Sequence, residues 1–150
     1  MSDNALKILI FNIKNENYAA SIMEIERILG YQEPTRVPDV PQFVEGVINY
    51  EGSILPVISI AKKFGLSNSG VDGESKIIVV KQHESKIGIL VDSVSEVMDI
   101  DMSVIEEPPE IISGISKRYL KGLVKCDEKI IILLNLSAIL TEEEKEKINI

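Results

Sequence analysis

The chain has no tryptophan, one cysteine, one histidine, four tyrosines and three phenylalanines in 150 residues. A lone thiol, Cys126, has no second cysteine to form an intramolecular disulfide with. With only His83 beside it, a Cys/His zinc cluster is excluded too, so any metal chemistry would have to rest on carboxylates. Basic residues are also scarce, 16 against 24 acidic ones for a net charge of −8. That balance disfavours nucleic acid and anionic lipid, whose binding depends on Lys and Arg displacing counterions. The longest unbroken apolar run, Ile130 to Leu134, is far short of the roughly 18 residues of a membrane helix. No charged-then-apolar leader precedes the first periodic segment, so a reducing cytoplasm is the expected compartment. What the chain does contain is aliphatic and β-branched: 25 Ile and 13 Val against five Ala. This composition points to a β-rich core in one domain, or in one domain of two lobes.

Sliding the chain against itself reveals an internal repeat. At an offset of 69, Lys7–Leu29 falls on Lys76–Met98 without a gap, and Ile22, Ile25 and Ile28 fall on Val91, Val94 and Val97. At an offset of 76, Phe43–Ile60 falls on Tyr119–Leu136, which pairs Gly46 with Gly122 and Ile54–Ile58 with Ile130–Leu134. Two matches in the same order favour duplication, with lobes at roughly 7–65 and 76–140 inside one domain spanning 6–140 and an exchange of strands between lobes left open. Each copy reads as a strand (Leu6–Ile13; Lys76–Lys81), a polar turn, a second strand and a segment with apolar residues at i, i+3 and i+6. That spacing predicts a short helix from Ser21 as N-cap to Gly30 as stop, and a looser one over Val91–Val97. A hairpin closes each copy, turning at Glu51-Gly52 and at Asp127-Glu128. Pro34–Pro41 and Glu106–Glu110 are expected to be extended loops at matching places, and Leu66–Ser75 a hinge between the copies. Thr141 and Glu144 make a capping box, so residues 141–150 should form a solvated, charged terminal helix and tail. Many short strands punctuated by Gly and Pro suit small closed barrels, which hide edges such as Ile130–Leu134.

The catalytic inventory is nearly empty. His83 and Cys126 lie in polar turns without an activating partner, and a surface histidine and an incidental thiol are the economical readings. Asp99 and Asp101 continue into Met102-Ser103-Val104-Ile105, which supplies none of the further ligands of a calcium loop. There is no phosphate-binding glycine loop and no nucleophile elbow. A carboxylate-based hydrolase using Asp92, Glu96 or Asp99 is a remote alternative, with Asp92 and Glu96 spaced to share a helical face. A chain with two lobes and no reactive centre points instead to binding other proteins, through a groove between lobes or through barrel ends.

Five stretches carry a resemblance to a known family: Tyr18-Ala19-Ala20 through Ile25-Glu26-Arg27-Ile28, Thr35 to Asn49 with its Phe43-Val44-Glu45-Gly46-Val47-Ile48-Asn49, Gly52 to Ile58 with Leu55-Pro56-Val57, Gly88 to Val97, and Tyr119-Leu120-Lys121-Gly122. Over about Leu6 to Leu140 the sequence resembles the bacterial chemotaxis coupling proteins, the CheW family. The resemblance implies a mainly β fold of two SH3-like five-stranded barrels with short helices. It implies a non-enzymatic cytoplasmic adaptor, without cofactor or metal, recruited to membrane-associated receptor arrays but not inserted in the membrane. Its partners would be the cytoplasmic tip of methyl-accepting chemotaxis receptors and the regulatory domain of the histidine kinase CheA. Carried onto this chain, the receptor groove would include Ile25, Ile28, Gly46, Ile77, Val94 and Val97, and the kinase contact would involve the turn Asn49-Tyr50-Glu51-Gly52. One departure stands out: the family usually has Arg before the turn glycine, and here Glu51 reverses the sign. Either a partner compensates with a basic residue, or this is a specialised paralogue with altered coupling. A regulatory module of a larger kinase is a further alternative, against which the start at Met1 and the capped acidic end argue.

Overall fold

The computed structural model describes residues 4–66, 70–82, 84–108 and 118–148. The first copy supplies β1 (Ala5–Ile13), β2 (Glu16–Ser21), β3 (Ile25–Gly30), β4 (Val44–Tyr50), β5 (Ser53–Ser59) and the single turn α1 (Ile60–Lys63). The second supplies β6 (Lys76–Gln82), β7 (Ser85–Val91), β8 (Ser93–Asp101), β9 (Leu120–Cys126) and β10 (Lys129–Leu134), followed by α2 (Glu142–Ile148). The strands form two five-stranded sheets, ordered β8-β1-β2-β10-β9 and β3-β6-β7-β5-β4. Each sheet is therefore built from both copies. The first takes β1 and β2 from the N-terminal copy, the second takes β3, β4 and β5 from it, and β6 and β7 complete the second sheet.

The registers repeat at the two sequence offsets. β10 runs parallel to β2 with Leu133 beside Ala19, and β5 runs parallel to β7 with Val57 beside Gly88. Each sheet also curls until its outer strands touch. In the second, the Tyr50 hydroxyl at the end of β4 donates to Glu26 Oε2 on β3 at 2.6 Å. In the first, Cys126 Sγ on β9 lies 3.9 Å from Met98 Sδ on β8.

The alternation of β1 and β6 divides their side chains between two kinds of core. Ile8 and Ile10 join Ala19, Val124, Ile131 and Leu133 inside the first curled sheet. Ile77 and Val79 join Ile48, Tyr50, Leu55 and Val57 inside the second. The opposite faces, Leu9, Phe11 and Ile13 with Ile78 and Val80, meet in a larger cluster between the sheets that also takes Leu136, Ile139, Leu140 and Ile148. Strands buried on both faces read as continuous apolar runs, which accounts for Ile8-Leu9-Ile10-Phe11 and Ile77-Ile78-Val79-Val80.

The helices expected from the i, i+3, i+6 spacing are absent. Ser21 does cap, accepting from Met23 N–H at 3.2 Å, but the turn it opens is a 3-10 turn of three residues, Ile22–Glu24. Ile25 to Gly30 is strand, and so is Ser93 to Asp101. The physical reason is a β-bulge in each copy. Ile25 stands opposite Val80 and Ile28 opposite Ile78, so Glu26 is the extra residue on β3. Likewise Val94 stands opposite Phe11 and Val97 opposite Leu9, with Ser95 extra on β8. A bulge turns the strand period of two into a local spacing of three, and β-branched residues prefer the strand. Asp92 and Glu96 consequently share no helical face.

The matching glycines serve the matching loops. Thr35 bridges β4 at Val47 and Glu106 bridges β9 at Leu123. A Cβ on Gly46 would lie 2.1 Å from Thr35 O, and one on Gly122 would lie 2.8 Å from Glu106 O. The Pro34–Pro41 and Glu106–Glu110 loops thus reach equivalent strands, although Pro109 and Glu110 fall outside the described residues. At the C terminus the capping box forms in both directions, Thr141 N–H to Glu144 Oε1 at 2.8 Å and Glu144 N–H to Thr141 Oγ1 at 3.0 Å. The helix it starts is not simply solvated. Ile148 is buried in the central cluster, and Glu144 pairs with Lys63 of α1.

Candidate functional site

The bulges decide where the expected groove residues point. Directly opposite residues of an antiparallel pair share a face, so Ile25, Ile28, Val94 and Val97 all lie on the faces that look toward the cluster between the sheets. They differ in depth. Ile25 and Val94 pack half-buried against that cluster, whereas Ile28 is 40% exposed and Val97 53% exposed, each on an outer strand. Two equivalent edge strands thus present an apolar residue to solvent beside a half-buried one. The other two expected residues lie beneath the surface: Ile77 is fully buried inside the second sheet, and Gly46 is buried under Thr35.

The turn Asn49-Tyr50-Glu51-Gly52 is a two-residue hairpin loop with positive φ at both Glu51 (50°) and Gly52 (81°). This twist matches the right-handed twist of the flanking strands. Asn49 Oδ1 accepts from Gly52 N–H at 3.2 Å and tightens it. Around the turn lies a charged cluster that the sequence does not place together. Glu26 Oε2 accepts from the Tyr50 hydroxyl at 2.6 Å and from Lys86 Nζ at 2.9 Å. The Tyr50 and Lys86 bonds hold the Glu26 carboxyl below its ordinary range, while the bond to Glu26 and burial push the Tyr50 phenol up. Arg27 lies over the Tyr50 ring, 5.9 Å from its centroid, and reaches Glu51 at 3.4 Å. Glu51 is therefore ion-paired within this chain, with Arg27. Arg27 and Glu26 follow Ile25 in the sequence, but only curling of the sheet brings β3 to the β4–β5 turn.

The duplicate position in the first sheet is chemically different. There Ser95 replaces Glu26, Glu96 replaces Arg27, Cys126 replaces Tyr50 and Asp127 replaces Glu51. The Ser95 hydroxyl donates to Asn12 Oδ1 at 2.7 Å, and Asn12 Nδ2 donates to Asn17 Oδ1 at 2.8 Å. One lobe end is thus an ionic cluster, the other an uncharged network beside two acids, Glu96 and Asp127, that have no ion-pair partner among the described residues.

The candidate catalytic carboxylates are dispersed. Asp92 accepts from the Lys14 backbone N–H at 2.8 Å, Asp99 pairs with Lys7 at 3.6 Å, and Asp101 accepts from Ser103 N–H at the start of a 3-10 turn. Among the described residues no group of three His, Cys, Asp or Glu is placed to hold a metal. His83 lies outside the described residues. No described helix is long and apolar enough to cross a membrane.

Comparison with known proteins adds the following. A family model described as the CheW-like domain matches residues 7–144. The chain is similar to the chemotaxis protein CheW of Klebsiella aerogenes, 33% identical over 138 residues covering 92% of this chain and 83% of that protein. It is similar also to the chemotaxis protein CheW of Thermotoga maritima, 34% identical over 91% of this chain and 88% of that one. Among solved structures, the scaffolding protein TtCheW of Thermoanaerobacter tengcongensis matches with a TM-score of 0.85 and 35% identity, covering 94% of this chain and 96% of that one.

Proposed function

Because this chain belongs to the CheW-like family, we propose that it is a chemotaxis adaptor that couples methyl-accepting chemoreceptors to the histidine kinase CheA. It acts through protein contacts alone and sets kinase activity in receptor arrays, to which it is recruited without entering the membrane. The observation that carries the reading is the extent of the likeness: the matches run through both curled sheets, so no lobe is left over for another role. Reconstitution of kinase and receptor fragment with and without the protein tests it. Kinase activity should rise and then fall as the adaptor is titrated, and activity indifferent to the protein over a wide range would sink the reading.

In this reading the receptor tip lies along the apolar positions of the two outer strands. Val97 and Ile28 are the contacts to probe, since their exposure lets them change without disturbing the core. Val97→Asp should lose the receptor fragment in a pull-down and keep the kinase. Val94→Asp is a poorer probe, because Val94 packs against the central cluster.

The kinase's regulatory domain meets the Asn49–Gly52 turn. The Arg27–Glu51 pair favours a specialised coupling, in which both signs of charge are presented where the family usually offers one. A partner matched to this arrangement should tolerate the joint exchange Arg27→Glu with Glu51→Arg better than Glu51→Arg alone, which leaves two cations side by side. Equal loss with both variants, measured by titration against the cognate kinase domain, would reject it.

A further inference from the structure

The two bulges decide whether an apolar or a charged side chain stands on the face between the sheets. With Ser95 as the extra residue, Val97 stands opposite Leu9 on that face, and Glu96 stands opposite Ile10 on the other. Pairing without the bulge would bring Glu96 opposite Leu9 and turn Val97 to the other face, because a slip of one residue reverses every side chain. The same holds on β3, where Glu26 is the extra residue: without the bulge Arg27 would take the place of Ile28 opposite Ile78. In both copies, then, the alternative register exchanges an exposed valine or isoleucine for a charge.

On β8 the bulge is held by a hydrogen-bonded hub at Asn12. Its Oδ1 accepts from the hydroxyls of Ser93 at 3.2 Å and Ser95 at 2.7 Å, the residues on either side of Val94. Its Nδ2 donates to Asn17 Oδ1 on β2 at 2.8 Å, and its backbone carbonyl accepts from Asp92 N–H at 3.0 Å. Asp92 in turn accepts from Lys14 N–H at 2.8 Å, which ties the start of β8 to the β1–β2 turn as well. The duplicate site makes an equivalent tie with other chemistry. Lys86 occupies the place of Asn17 and Glu26 that of Ser95, and the two form an ion pair at 2.9 Å. The copies share no residue type at these places, yet each ties the extra residue of the bulge to the neighbouring hairpin. We propose that Asn12 is a positioning residue that holds β8 in its bulged register and so keeps Val97, not Glu96, on the face between the sheets. An amide suits the role because one side chain accepts from two hydroxyls and still donates to a third strand. The consequence for receptor binding rests on the adaptor reading above, whereas the register does not.

The test uses the full chain, read by NMR and by titration with a receptor-tip fragment and with the kinase's regulatory domain. Asn12→Leu keeps the volume and removes the acceptor, whereas Asn12→Asp keeps an acceptor for both serines. Asn12→Leu should lose the cross-strand contact between Val97 and Leu9 and speed amide exchange over Val94–Val97 several-fold. It should also weaken the receptor fragment roughly ten-fold and leave the kinase domain bound as before. Asn12→Asp should restore the contact, the slow exchange and the receptor affinity. If Asn12→Leu does not fold, Ser93→Ala with Ser95→Ala removes both donors from the other side and should show the same changes in milder form. An undisturbed Val97–Leu9 contact, no rescue by Asn12→Asp, or a parallel loss of receptor and kinase domain would overturn the proposal. A lost contact with receptor binding intact would uphold the role of Asn12 in the register and sink the placement of the receptor at Val97, so the two failures are distinguishable.

Discussion

At Gly46 the backbone adopts φ +140°, and the space a Cβ would need is taken by the carbonyl of Thr35. Glycine is required here on both counts, since no L side chain is at ease at that φ and the clash is with backbone that cannot swing away. Gly46→Ala should lower stability by roughly 2–3 kcal/mol in urea denaturation, by strain alone. Receptor or kinase binding lost with this variant would therefore say nothing about contact. The Arg27–Glu51 pair sits at the other extreme. Both side chains are about half exposed, so Glu51→Gln should change stability by no more than about 1 kcal/mol. A larger loss on thermal unfolding would mean that the pair holds the curled sheet shut. Glu51 was conspicuous in the sequence as a sign reversal, but its partner was not, because Arg27 lies 24 positions away on the opposite edge of the same sheet.

Among the elements, the paired bulges and the terminal helix do the most to shape the surface. A bulge on β3 and another on β8 each place two apolar residues three apart on the face between the sheets. The same pattern in sequence is indistinguishable from one side of a helix, since the distinction depends on a partner strand that the local sequence does not contain. The capping box of α2, by contrast, was readable in full, because all its atoms lie within four residues. What docks α2 was not readable: the burial of Ile148 and the Lys63–Glu144 pair depend on α1, some 80 residues earlier. Burial opposes ionisation of Glu144, but bonds from Lys63 and from the Thr141 backbone and hydroxyl outweigh it and hold the pKa below its ordinary 4.5. A carboxyl with a depressed folded pKa stabilises fully above its unfolded value and loses that contribution as pH falls through the folded one. The attachment of α2 should therefore be constant above about pH 5 and weaken below pH 4.5. Glu144→Gln should remove about 1 kcal/mol at neutral pH and flatten the acid limb of a plot of Tm against pH. An acid limb as steep as in the parent protein would show that other carboxyls carry it.

Over the whole molecule, the exchange of strands makes each sheet depend on both copies. Residues 1–70 alone contain β3, β4 and β5 of the second sheet but lack β6, which pairs with β3, and β7, which pairs with β5. That fragment should be largely unfolded by circular dichroism and should gain structure only when mixed with residues 71–150, while the intact chain unfolds in one transition. Independent folding of either half would refute the interdependence. The sequence alone determined much that rests on neighbours along the chain: most of the strands, though not β3 and β8, both hairpin turns, the cap, and the resemblance that points to an adaptor. Hydrophobic alternation, turn chemistry and repeated spacing are short-range signals. The tertiary structure decided which copy each strand pairs with, and therefore which apolar residues are buried and which are left exposed. It also brought Glu26, Arg27, Tyr50 and Lys86 into one cluster. These arrangements depend on how a sheet curls and where a bulge falls, and both are set by contacts between residues far apart in the chain.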